Sequence, residues 1–206
     1  MLLILFVNFF APASSFATQN PETLFTWNEA NNIFLNAKSQ EDYFRAAKKY
    51  QQLLNANVNG WQIYFNFGTA LLRSGLYDDA IKALEIAGEL TGKNSDIETN
   101  LIAAYSKKEG RVMPLPWYRK LFFWHYNYSI ATRIKITIVS FAFIWPGLIL
   151  KRLKLQRFSK YLLLASLLVF FLFSSSLLTS FHQFATFNPA LPSSYPFSQS
   201  PHSAGS

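Results

Sequence analysis

The sequence predicts an all-α protein: a short helical-repeat solenoid, then an interfacial helix, then a hairpin of two membrane-spanning helices. Three observations predict it. Asn32, Asn66 and Asn100 stand 34 positions apart, and the same step carries Tyr43 to Tyr77, Ala46 to Ala80, and Ile33 to Phe67 to Leu101. Two apolar stretches, 130–150 and 161–181, are each 21 residues long, about 31 Å as helices and close to one hydrocarbon thickness. All eleven acids precede Pro114, whereas nine Lys or Arg and no acid follow it.

A step of 34 is the length of one tetratricopeptide unit, a pair of antiparallel helices that must stack on a neighbour to cover their apolar faces. Residues 21–110 hold about two and a half such units. Before them, 1–17 is an apolar run closing on small residues, which reads as a secretory signal peptide too short to span a bilayer. The first repeat pairs a helix over 21–36 with one over 42–55, on which Tyr43, Ala46, Ala47, Tyr50 and Leu54 recur at helical spacing.

The second repeat pairs 61–74 with 77–90. Gly75 sits between them where a left-handed backbone is needed, and small residues at Gly68 and Ala80 let the two helices approach. A fifth helix over 95–108 serves as a cap. Pro114 and Pro116 then stop the solenoid. In 114–129, Trp117, Leu121, Trp124 and Tyr128 recur on one helical face, and with Tyr126 they make an aromatic belt at headgroup depth.

In the first span, 130–150, Arg133 and Lys135 lie near the start and are expected to snorkel to the headgroups. Pro146-Gly147 is expected to loosen that helix near its other end. Lys151, Arg152, Lys154, Arg157 and Lys160 crowd the ten residues 151–160, so this loop is expected to be cytoplasmic. The second span is 161–181. The repeat domain and the tail 182–206 then share the opposite, periplasmic side of a bacterial inner membrane. The tail is rich in Ser, Pro and Phe without periodicity, and is expected to be disordered.

Composition argues against several chemistries. With no Cys there is no thiol catalysis or thiolate metal site, and His125, His182 and His202 lie in segments too different to make a ligand set. No Gly-rich phosphate loop occurs, and Asp78-Asp79 suit the first turn of a helix without any catalytic role. His125 reads as an interfacial aromatic, and Ser174 to Ser176 as serines bonded within their own helix. No enzyme, cofactor, metal, nucleic acid or small-molecule substrate is expected.

Binding is the expected function. In repeats of this kind the first helix of each pair lines the concave face, which places Asn28, Asn31, Leu35 and Lys38, then Gln62, Phe65, Thr69, Leu72 and Arg73, then Thr99, Ala103 and Lys107 in a partner groove. Lys38, Arg73 and Lys107 put one cation on each layer, which suits an acidic segment or a free carboxylate.

The pattern Asn-x-x-Phe with Tyr-x-x-Ala-x-x-x-Tyr in the first repeat, the junction Trp117 to Tyr126 and the hairpin with its basic loop together resemble the BatE-like proteins of the Bacteroides aerotolerance operons. The likeness runs from about 23 to 181, and its repeat part is generic. It implies a membrane-anchored adaptor for von Willebrand factor A-domain membrane proteins, associated with tolerance of oxidative stress. Many relatives continue into an SH3-like domain after the second span, and no role of that domain is carried over. The alternative reading is a periplasmic assembly chaperone, whose groove would release many exported clients rather than keep one partner.

Overall fold

The computed structural model describes residues 20–153, 156–188, 191–193 and 195–196. The expected leader, 1–17, lies outside them, as do Lys154 and most of the tail. Among the described residues there are nine helices and no strand: α1 (Pro21–Asn36), α2 (Gln40–Asn55), α3 (Trp61–Arg73), α4 (Tyr77–Thr91), α5 (Ser95–Glu109), α6 (Tyr118–Leu121), α7 (Phe123–Asn127), α8 (Ile130–Arg152) and α9 (Gln156–Thr186).

They fall into two compact units. One comprises the described residues up to 87, residues 95–115 and the described residues from 188 on; the other comprises 88–94 and 116–187.

In the first unit, local sequence sets the helix ends. Asn20 caps α1 by accepting from the Glu22 N–H at 3.2 Å, with Pro21 in the first turn where its missing N–H costs nothing. Ser39 and Asp42 form a reciprocal capping box on α2, which therefore begins at Gln40, two residues before the expected start. The same backbone N–H groups, from Lys38 and Ser39, together with Arg45 hold the Asp42 carboxyl well below the usual carboxylate range. Gly75 ends α3 with φ +88°, the left-handed backbone expected there.

The core of this unit is made of small and apolar residues. Ala46, Ala80, Phe67, Leu71, Leu84 and Leu101 have no exposed surface. A Cβ on Gly68 would lie 2.8 Å from Leu84 Cγ, so α3 and α4 meet at a distance only glycine allows. The tail was expected to be disordered from 182, yet α9 continues to Thr186. Beyond it, the Tyr195 ring packs 5.6 Å from that of Phe44 on α2.

In the second unit, α8 and α9 form a hairpin, each long and apolar enough to cross a membrane. Ser129 caps α8 by accepting from the Thr132 N–H at 3.3 Å. Gly147 is buried, and a Cβ there would meet Leu163 Cδ2 at 2.7 Å. Its part is thus to let the helices approach, and α8 runs on through Pro146 as a helix.

Two expectations about this unit are corrected. Segment 114–129 is not one interfacial helix, because Phe122 (ψ 43°) interrupts it and leaves the two short helices α6 and α7. Its aromatic side chains are weak helix formers and pack on one another instead, as Trp124 does on Phe122 and Phe123. Nor is 151–160 a loop. Lys151 and Arg152 close α8, where cations favour the helix dipole, and Arg157 and Lys160 already belong to α9.

Candidate functional site

The repeated asparagines join successive first helices. Asn66 on α3 donates to Asn31 Oδ1 on α1 at 3.2 Å, and Asn100 on α5 donates to Thr69 Oγ1 on α3 at 2.8 Å. Asn32, the first of the series, instead accepts from Asn36 at 2.7 Å on its own helix. Tyr50 adds a third bond to this seam, its hydroxyl donating to Asn31 Oδ1 at 2.6 Å. The 34-residue spacing thus places an amide wherever a first helix meets the one before it.

This seam corrects part of the expected groove. Thr69 is buried, engaged by Asn100 and donating to the Phe65 carbonyl at 2.8 Å, and Asn31 is engaged by Tyr50 and Asn66. Gln62, Phe65, Leu72 and Ala103 are half-buried, and Gln62 Oε1 is buried without a hydrogen-bond partner. Asn28, Leu35, Lys38, Arg73, Thr99 and Lys107 remain exposed, Leu35 to 80 %.

Arg73 is not a bare cation. Its guanidinium lies 5.2 Å from the Tyr43 ring and 5.7 Å from the Phe34 ring, and it donates to the Tyr43 hydroxyl at 2.8 Å. Tyr43 therefore has a definite partner, whereas Tyr77, its counterpart one repeat on, opens α4 half-buried. Of the aromatic belt, Trp117 and Tyr128 are exposed. Trp124 and Tyr126 are half-buried, with Arg119 stacked 4.0 Å from the Tyr126 ring.

The second unit holds a cluster the sequence did not disclose. Arg133, expected to snorkel, has no exposed surface. Its Nη2 pairs with Glu89 Oε2, in the last turn of α4. Its Nη1 donates to Ser176 Oγ at 2.8 Å and to Ser180 Oγ at 2.9 Å, both on α9. Ser180 also donates to Glu89 Oε2 at 2.7 Å. His125 completes the ring, with Nε2 3.0 Å from Glu89 Oε1 and Nδ1 2.9 Å from both Ser176 Oγ and Arg133 Nη1.

A carboxylate only accepts, so His125 Nε2 carries the proton it gives to Glu89. Burial pushes the Glu89 carboxyl up. The hydrogen bond and charge of His125, the Arg133 charge and the Ser180 hydroxyl overcome that push and hold it below the usual range. Within this cluster, Arg133 Nε is buried without a hydrogen-bond partner.

Carboxylate, imidazole and hydroxyl in this order are the parts of an acyl-transfer triad. Here Ser176 is 6 % exposed and its oxygen already takes the Arg133 N–H, so the hydroxyl is neither open to a substrate nor free to attack. The arrangement is that of a buried polar network, closed except at Arg133 Nε, of the kind that fixes helices. Nearby, a cavity of about 460 Å³ lies along the hairpin, lined by Lys135, Ser140, Phe143, Leu162, Ser166 and neighbours.

No protein family, curated protein or solved structure matches the chain. Fold and site together define the class: an all-helical protein with two candidate transmembrane helices.

Proposed function

We propose that the chain is a membrane-anchored tetratricopeptide adaptor whose repeat surface holds a partner protein on the periplasmic face of a bacterial inner membrane. One observation carries the reading. Asparagine bonds join α1, α3 and α5, while the outward residues of those same helices, Asn28, Leu35, Lys38, Arg73, Thr99 and Lys107, are left exposed. An 80 % exposed leucine beside cations suits a protein segment with apolar and acidic side chains. The hairpin supplies the anchor, and the cations at its turn favour the cytoplasmic side. The resemblance to BatE-like proteins points to von Willebrand factor A-domain proteins as partners.

The test is recovery of partners from solubilised membranes by the wild type and by Leu35→Glu with Lys107→Glu, both exposed positions. Stoichiometric recovery of one membrane complex, lost in the double variant at unchanged helicity, supports the adaptor. Recovery that is unaffected by the variant removes the groove, and substoichiometric recovery of many unfolded clients assigns the surface to a chaperone instead.

A further inference from the structure

The outer stripe of α2, separate from the groove above, is already occupied. Gln40, Phe44 and Lys48 are spaced one helical turn apart and so stand above one another. Against them lies the segment around Tyr195. Its ring packs on Phe44, which is 2 % exposed, and its hydroxyl stands 2.6 Å from Gln40 Oε1 and 3.3 Å from the Ser74 carbonyl at the end of α3. Lys48 Nζ donates to the Ser193 carbonyl at 2.5 Å and lies 5.6 Å from the Phe44 ring.

The chemistry is selective. Both groups facing the phenol oxygen are acceptors, so the phenol must donate, and phenylalanine in its place would leave them without that proton. Burial and the nearby Glu41 carboxylate push the Tyr195 phenol up, which keeps the donor in place. Pro192 and Pro196 lie on either side of the tyrosine and restrict the backbone of the residues that precede them, which lowers the entropy lost on binding.

We infer that this stripe of α2, with the Ser74 carbonyl, is a peptide-recognition site that reads a tyrosine, and that its resident ligand is the chain's own segment around Tyr195. An even number of spans between the repeat and this segment returns both to one side of a membrane, as the contact requires.

The chain has no cysteine, so paired substitutions report without background. In the full chain in membranes, Gln52→Cys, one turn beyond Lys48, is combined with Ser193→Cys and treated with a short bismaleimide; Asn28→Cys with Ser193→Cys is the control pair. An intrachain cross-link well above the control is expected. Tyr195→Phe should lower the cross-linking equilibrium about fivefold for one lost hydrogen bond, and Tyr195→Ala should lower it further. A yield no better than the control, or one indifferent to Tyr195→Ala, overturns the site. Cross-links between chains overturn the assignment of the resident ligand and give the site to the tail of a second copy.

Discussion

The two units hold their helices together by opposite means. In the repeat unit the contacts are apolar and close: Ala46, Ala80 and Gly68 bring backbones together, and the polar bonds at the seam are between neutral amides and hydroxyls. In the hairpin unit the outer faces are apolar, with Ile138, Phe141, Trp145, Leu168 and Phe171 all exposed, and the interior carries an ion cluster. The medium explains the difference. In water, hiding apolar surface drives helices together, whereas among lipid tails an apolar face gains nothing from another helix. Association there relies on close packing at small residues such as Gly147 and on polar bonds such as those of Arg133.

The sharpest way to break this contrast is to remove one ion. Arg133→Met leaves Glu89 buried without its guanidinium partner, held only by His125 and Ser180, and should cost about 3–5 kcal/mol in thermal unfolding followed in micelles. Arg133→Met with Glu89→Leu should recover most of that loss. A double variant no better than the single would mean that the cluster is not a closed pair.

On the other side of the comparison, Leu71→Ala in the repeat core should cost about 2–5 kcal/mol through the cavity it leaves, with no ion involved and little dependence on pH. Gly68→Ala should cost about 1–3 kcal/mol, since its methyl meets Leu84.

Acid tests the ion cluster directly. Glu89 is held below its unfolded value, so its contribution is complete above about pH 4.5 and is lost as pH falls below that toward the folded value. Wild type should therefore lose stability on acidification that Glu89→Gln does not. Melting temperatures recorded from about pH 7 to about pH 3 make the comparison, and parallel curves would contradict it. The smallest expected effect is that of Asn100→Ala, about 0.5–1.5 kcal/mol for one neutral bond to Thr69, measured by denaturant unfolding.

What the sequence disclosed follows the same division. The repeat helices are local events, written in caps and spacing: 21–36 and Pro21–Asn36 coincide, and 77–90 differs from Tyr77–Thr91 by one residue. The expected spans, 130–150 and 161–181, fall inside α8 and α9, because hydropathy marks the apolar stretch and not the helix that overruns it. The Glu89 cluster escaped notice because each member has a sufficient local explanation. An acid on an amphipathic helix, a histidine among aromatics, an arginine near a span's start and serines bonded within their own helix are each ordinary alone. Only tertiary folding brings Ser180 to Glu89 across 91 positions. The groove was half legible for a related reason: spacing puts Asn31 and Thr69 on a first helix, but not which neighbour claims them.

The cluster also has an order of birth. Glu89 and His125 leave the ribosome before Arg133, while Ser176 and Ser180 follow only after more than half of α9 has been made. In chain order the guanidinium thus follows its carboxylate and imidazole partners and precedes its hydroxyl partners. A nascent chain halted between Arg152 and Ser176 would carry an arginine whose coordination is still open, so the cluster is completed only by the second helix of the hairpin.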